Sequence, residues 1–431
     1  MKTVAFITLG CKVNQYETNA MTQQFIENDY EVVDHTQKAD IYIVNTCTVT
    51  NMSDRKSRQM LRRVKELNKE GVVVACGCYA QVAKEELEKI KEINLVLGNN
   101  EKKDIVQYVE KYIKSKIPEV QTEDVMHQKD FVEFGDITFT EKTRAVIKIQ
   151  DGCDRFCSYC IIPYARGRVR SRKPEHILSE IRKIAKEGIQ EVVITGIHIA
   201  SYGKDFKKQY GLIDLLEEMN EIEGIERIRL GSIEPLLITE AFVNRLEKLT
   251  KVCHQFHLSL QSGCDETLKR MNRRYTTEQF KDIVALLRNK FEDVILTTDI
   301  IVGFPGESEE EFEKTYTFLK EIKFYKMHVF KYSPRKGTKA AVMPNQIDGN
   351  KKEERSRKLI ELSNQNEKAY NQNYIGKEVE ILFEEEKNGI WQGHTKNYIL
   401  AHYKTEKNIE NRIMKLQCIE AEEEYIVVNE K

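Results

Sequence analysis

At 431 residues the chain is too long for one ordinary hydrophobic core, so length alone predicts two or three domains. With 40% hydrophobic and 32% charged residues the composition is that of a soluble globular protein, and the lack of any run of about 18 apolar residues excludes a membrane-spanning helix and, with it, a membrane partner. Net charge is −1, from 68 basic and 69 acidic residues, so a nucleic acid would have to be held by local patches, not by bulk charge.

The first ten residues, apolar after Lys2, run up to Cys11; they are too short for the apolar region of a secretion signal and read as a strand. Without an export signal, the 10 cysteines point to metal or redox chemistry in a reducing, cytoplasmic compartment, not to a disulfide scaffold. Short apolar runs at 4–8, 41–44 and 72–75 alternate with helical patterns at 15–27, 53–70 and 81–90, a three-layer parallel α/β layout over 1–116. Functional crevices in such sheets lie beyond the carboxyl ends of the strands, and Cys11, Cys47 and Cys78 each follow one of these three strands. Three distant thiols therefore converge, each shortly before a helix whose dipole favours a thiolate. Cys76, two residues before Cys78, competes with it on spacing alone. Between Arg55 and Lys65 six cations occur with no acid, and Arg58 and Arg62 share one helix face; the run is either an RNA contact or an ordinary solvated face.

A polar, acid-rich stretch over 117–140 reads as a linker with little packing of its own. Six further strands, at 145–149, 191–195, 227–230, 256–260, 295–302 and 327–331, are separated by helical patterns, which predicts a partial (β/α)6 barrel within 139–370 and an active site at the carboxyl ends of its strands. Thr195, Gly196, Glu234, Gln261 and Asp299 lie at or near those ends, where they contact a cofactor or satisfy backbone groups. A second basic run, 161–173, holds Arg166, Arg168, Arg170, Arg172 and Lys173 against no acid. After a charged helix at 351–370, strict alternation over 377–383 begins a set of short strands that forms a small β-barrel at 371–431. Its Trp391, Tyr398 and Tyr403 are candidates for base stacking, or core aromatics.

The strongest chemical signal is C-x3-C-x2-C, formed by Cys153, Cys157 and Cys160 directly after the first barrel strand. Three nearby thiolates on a 4Fe-4S cube leave one iron open to an external ligand. Structural zinc, the blander reading, wants four protein ligands, and no fourth cysteine is close. The motif resembles the radical S-adenosylmethionine superfamily, whose open iron binds the methionine part of that cofactor.

Within it the chain is similar to the methylthiotransferases, through Leu9-Gly10-Cys11-Lys12-Val13-Asn14, Asn45-Thr46-Cys47-Thr48-Val49-Thr50 and Gly77-Cys78-Tyr79-Ala80-Gln81, which match that family's auxiliary-cluster cysteines. Pro163-Tyr164-Ala165-Arg166-Gly167, Leu260-Gln261-Ser262-Gly263 and Gly303-Phe304-Pro305-Gly306-Glu307 match in the barrel. The resemblance covers essentially the whole chain. It implies two 4Fe-4S clusters, S-adenosylmethionine, a low-potential electron donor, a sulfur source, and a C-terminal TRAM module for RNA. Lys12 to Thr18 and Tyr332 to Thr338 resemble the group that methylthiolates C2 of N6-threonylcarbamoyladenosine at tRNA position 37. On this reading Cys11, Cys47 and Cys78 hold one cluster and Cys153, Cys157 and Cys160 the other; Thr195, Gly196, Glu234, Gln261 and Asp299 contact the cofactor; Arg58, Arg62, Arg166, Arg168, Trp391 and Tyr398 contact RNA. Relatives acting on isopentenyladenosine tRNA or on a ribosomal-protein aspartate are alternatives, as is a noncatalytic zinc and RNA-binding protein.

Overall fold

A computed structural model describes residues 1–139 and 143–430. The N-terminal sheet is parallel throughout, in the spatial order Glu31–Val32, Thr3–Thr8, Ile41–Thr46, Val72–Gly77, Leu95–Leu97 and Glu119–Gln121. Its central strands, Ile41–Thr46 and Val72–Gly77, are buried at every residue, because helices cover both faces of the sheet. On one face Met21 and Phe25 of the helix Lys12–Glu27 pack with Ile105, Val106 and Val109 of the helix Ile105–Ser115. On the other, Leu61 and Val64 of the helix Asn51–Leu67 pack against Tyr42, Val44 and Val73. That helix starts where it does because the Thr50 hydroxyl accepts the Ser53 amide.

Two sequence expectations change here. The helix expected over 81–90 is a pair of short ones, Cys78–Val82 and Lys84–Glu88, interrupted at Ala83. The 117–140 stretch is not an unpacked linker: Glu119–Gln121 adds an edge strand, Val125 and Ile137 are buried, and Phe134 meets the Tyr16 ring edge-on at 6.5 Å. Isolated apolar residues anchor it, so no periodicity announced the packing; Thr140 lies outside the described residues.

The second unit is an open barrel of parallel strands. Arg144–Asp151, Glu191–Gly196 and Arg227–Leu230 form one sheet, extended by the short antiparallel strand Arg170–Ser171; Gln255–Gln261, Ile295–Val302 and Lys326–Lys331 form another. Parallel bridges Ile228↔Val252 and Ile233↔Leu258 join them into six parallel strands round one apolar core. The helix Gly349–Gln372 covers the last strand: Leu359 and Leu362 enter the core, the Ser363 hydroxyl accepts the Met327 amide at 2.9 Å, and Glu367 pairs with Lys326 at 2.8 Å.

The C-terminal strands Glu378–Lys387, Ile390–Thr395, Leu400–Lys404, Ile426–Asn429 and Ile413–Ala421 close into a barrel. It docks on the larger barrel through Arg227, which donates to the carbonyls of His394 and Glu380 at 3.0 Å each, and Arg144, which pairs with Glu384 at 2.8 Å. That docking puts Tyr398 at the amino ends of the larger barrel's strands, beside Arg144 and Arg229.

Candidate active site

Backbone contacts shape the loop of Cys153, Cys157 and Cys160. Gly152 adopts φ +71°, and a Cβ there would lie 1.8 Å from the Arg168 carbonyl oxygen, so only glycine lets the loop turn against the segment Gly167-Arg168. The Cys153 amide donates to the Gly167 carbonyl at 3.0 Å, the Ser158 amide to that of Met271 at 3.0 Å, and Asn272 to the Phe156 carbonyl at 3.1 Å. Burial, with the neighbouring Cys157 adding to it, pushes the Cys153 thiol up to about 11 and the Cys160 thiol up to about 12. Arg273 points its guanidinium at the Cys157 sulfur from 3.4 Å. Nothing in the sequence singled out Arg273, which follows a short helix and not a strand.

The second set is assembled by the sheet. Asn14 donates to the carbonyls of Leu9 at 2.7 Å and Thr46 at 3.0 Å, tying the ends of the first two strands together, while Asn45 donates back to the Asn14 carbonyl at 2.9 Å. Gly10, at φ +106°, leaves no room for a Cβ, which would sit 2.8 Å from that of Cys47. Arg335, from the barrel, donates to Thr48 at 2.7 Å and pairs with Asp54 at 2.6 Å, fixing the segment after Cys47. Burial raises the Cys47 thiol to about 11, with Cys78 and Cys11 adding to the effect, so the three sulfurs share one field. Cys76 instead points into the apolar core among Val74, Leu95 and Leu97.

Arg166 corrects the sequence reading: it is 0% exposed and meets no RNA. Its Nε donates to the Cys78 sulfur at 3.2 Å and its Nη2 to Asn14 at 2.7 Å, while Nη1 pairs with Glu17 and, at 3.2 Å, with Asp151. Lys148 pairs with Glu17 at 2.7 Å and with Asp151 at 2.6 Å; Lys102 pairs with Glu17, and Arg170 approaches Asp151 at 3.9 Å. Four buried cations thus face two carboxylates. The surplus positive charge lies against Cys78, and an anionic, thiolate-held group there would balance it, so these residues fit a cluster. The basic run 161–173 is accordingly not a surface patch: Arg172 is also buried, paired with Glu180 at 2.6 Å and Glu133 at 2.9 Å. Of its RNA candidates only Arg168 is exposed, paired with Asp154 at 3.2 Å and lying over the Phe156 ring at 4.9 Å.

Between the two cysteine sets lies a cavity of about 970 Å³, lined by Cys11 on one side and by Cys153, Cys157 and Cys160 on the other. Thr195, Gly196, Glu234, Gln261 and Asp299 all line it. Burial would raise the Glu234 carboxyl, but His198, Arg273 at 3.0 Å and Arg155 hold it below the usual range. Asp299 faces His257 at 3.2 Å. Gln261 holds φ +72°, strain for a residue with a Cβ, where its strand bulges beside the cavity.

The far wall comes from the small barrel. Tyr398, at φ +77°, stacks on His394 at 4.4 Å beneath the guanidiniums of Arg229 at 4.5 Å and Arg144 at 5.1 Å. Burial would raise its hydroxyl, yet Arg144, Lys12 and Arg229 outweigh burial and lower it. Tyr398 therefore faces inward, into the cavity. Trp391 and Tyr403 sit in the barrel core and offer no open face for a base. Arg62 is exposed, whereas Arg58 donates to the Tyr79 hydroxyl and approaches Glu86 at 3.8 Å. Among the described residues no three His, Cys, Asp or Glu side chains are close enough to hold one metal ion. A cube asks for wider spacing, since each thiolate binds a different iron.

Residues 147–319 match the Radical SAM superfamily, and residues 3–98 match the uncharacterized protein family UPF0004. The threonylcarbamoyladenosine tRNA methylthiotransferase MtaB of Bacillus subtilis (strain 168) is 42% identical over 98% of this chain and 94% of its own. This chain belongs to the radical S-adenosylmethionine methylthiotransferase family. A second such family member, from Aquifex aeolicus, is 41% identical over 92% of this chain and 95% of its own. The tRNA-2-methylthio-N(6)-dimethylallyladenosine synthase of Caldicellulosiruptor saccharolyticus is 35% identical over 99% and 92%. Among solved structures, the radical S-adenosylmethionine methyltransferase TsrM of Kitasatospora setae shares the fold, with a TM-score of 0.57 at 16% identity over 77% of this chain and 73% of that one.

Proposed function

We propose that this family member converts N6-threonylcarbamoyladenosine at tRNA position 37 to its 2-methylthio derivative. One observation carries the reading: a single cavity is lined by Cys11 of the dispersed set and by all three cysteines of the loop set, in a chain 42% identical along 98% of its length to a threonylcarbamoyladenosine tRNA methylthiotransferase. When bound, two 4Fe-4S clusters and S-adenosylmethionine supply hydrogen abstraction at adenine C2 and the methylthio group that takes the hydrogen's place.

The chain's own residues bind, orient and enclose. Cys153, Cys157 and Cys160 would hold one cluster, the one at which S-adenosylmethionine binds, and Cys11, Cys47 and Cys78 would hold the other. Thr195, Gly196, Gln261 and Asp299 orient the cofactor between them, and Glu234, kept ionised by Arg273 and His198, offers its cationic groups a carboxylate. Exposed Arg62 and Arg168 meet RNA phosphate, while Tyr398 closes the cavity from the small barrel. A low-potential electron donor and a sulfur source are required partners, and a reducing cytoplasm suits both.

The test is mass spectrometry of tRNA nucleosides from cells with and without the gene. The expected result is loss of 2-methylthio-threonylcarbamoyladenosine and accumulation of its unthiolated precursor. Loss of the methylthio dimethylallyl nucleoside instead would transfer the assignment to the substrate of the 35% identical relatives, and unchanged nucleosides would overturn it.

A further inference from the structure

Five Lys and Arg side chains line the cavity, and four of them are already matched to carboxylates. Arg155 and Arg273 approach Glu234 at 4.0 Å and 3.0 Å, Arg229 pairs with Glu191 at 2.8 Å, and Lys326 pairs with Glu367 at 2.8 Å. Lys12 lines the same cavity, and among the described residues its side chain has neither a hydrogen bond nor an ion pair. Its backbone follows Cys11 directly, and its side chain extends from there towards Tyr398 and the wall supplied by the small barrel. The groups around its side chain are Tyr398, Arg144, Arg229 and Glu191, of which Arg229 is already paired with Glu191 and Arg144 with Glu384.

We propose that Lys12 reads the carboxylate of the threonylcarbamoyl group. The inference rests on the function proposed above and adds the residue that selects the substrate. In adenine, C2 and the carbon bearing N6 both flank N1; holding C2 at the Cys11 side of the cavity therefore brings the N6 substituent out close to Lys12. A threonylcarbamoyl group ends a few bonds beyond N6 in a carboxylate, which a lysine ammonium without a partner engages through a charge-assisted hydrogen bond. A dimethylallyl group ends in methyl carbons and would leave the ammonium desolvated and unpaired, a penalty that discriminates against that substrate.

The test compares binding of three anticodon stem-loops to iron-loaded full-length protein: one carrying threonylcarbamoyladenosine, one carrying its methyl ester, and one with unmodified adenosine. Wild type is expected to bind the acid about tenfold more tightly than the ester. Lys12→Gln should erase that gap, and Lys12→Arg should keep most of it. The acid and ester comparison needs no variant, so a folding defect in Lys12→Gln does not shield the proposal. Equal binding of acid and ester by wild type, or a gap that survives in Lys12→Gln, overturns the assignment of Lys12 while product formed from the acid leaves the proposed function standing. If wild type forms no product from the acid at all, the functional reading falls and the inference falls with it.

Discussion

The two cysteine sets border the same cavity, the dispersed one through Cys11, and are assembled by opposite routes. Cys153, Cys157 and Cys160 belong to one loop, shaped by a few nearby backbone hydrogen bonds and a glycine pressed against Arg168. Cys11, Cys47 and Cys78 come from the ends of three strands and stand together only because the parallel sheet is in register and a buried charge network backs it. A local site depends on its own loop, whereas a dispersed one depends on the whole domain. The largest expected effects divide along that line. Cys157→Ala should abolish both cleavage of S-adenosylmethionine and product, while Cys47→Ala should abolish product yet retain uncoupled cleavage, read as 5′-deoxyadenosine by chromatography. Product from Cys47→Ala would break the comparison, because the dispersed set would then have no separate task.

Arg166 tests the dependence on the domain. Removing one partner of a buried, hydrogen-bonded charge group costs about 3–5 kcal/mol, and here it also strips the Cys78 sulfur of its donor. Arg166→Met should therefore lower iron content from about eight to about four per chain, with the loop set retained. Its thermal destabilisation should be larger in iron-loaded than in iron-free protein, since the surplus cation matters only when an anionic group is bound. Equal losses from both sites would show that the loop set leans on the same scaffold.

The same contrast explains what the sequence revealed. C-x3-C-x2-C is legible because its spacing is its geometry. The barrel strands were legible as continuous apolar runs, and the end of each run located the cysteines and the residues Thr195, Glu234, Gln261 and Asp299. Arg166 was not legible: in a run of five cations it looks solvated, and its partner Glu17 lies 149 residues away in the chain. Trp391 and Tyr398 look alike in sequence, yet one points into the barrel core and the other, held at positive φ, out of it towards the cavity. Leu95–Leu97 and Glu119–Gln121 are three residues each, too short for alternation or a run to register. Arg273 carries no local signal, and Lys12 is legible only as part of the segment Lys12 to Thr18, because what distinguishes both side chains is where their neighbours' charges are already spent.

The charge network predicts a pH effect of intermediate size. Burial raises the Asp151 carboxyl, but Lys148, Arg166 and Arg170 outweigh it and bring it down to about 2 from an ordinary 3.8. A carboxyl whose folded value is depressed contributes stability that is fully present above its unfolded value and is lost as pH falls through the folded one. In iron-free protein, unfolding midpoints should therefore decline between about pH 4 and pH 2 by an amount on the order of 2 kcal/mol from this group. Asp151→Asn should flatten that part of the profile. An identical acid limb in the variant would show that the buried cations are not what holds the domain interface at low pH.

The smallest effect concerns the side from which RNA approaches. The helix after Cys47 carries six cations between Arg55 and Lys65, but Arg58 is committed to Tyr79 and Glu86, and Lys65 donates to the Gly71 carbonyl at 2.8 Å. Arg62 is exposed and, among the described residues, has no ion pair; on the side of the local loop, Arg168 is exposed but already paired with Asp154. A cation that neutralises a phosphate releases counterions, so its loss lowers the salt slope of tRNA binding by about one unit. Arg62→Glu should produce that change, Arg168→Glu a smaller one, and Arg58→Glu should lower stability more than slope. If Arg168→Glu moves the slope further than Arg62→Glu, the RNA lies against the loop that carries the local cysteines. If neither moves it, both are ordinary solvated cations, and the phosphate contacts must come from the small barrel that supplies Tyr398.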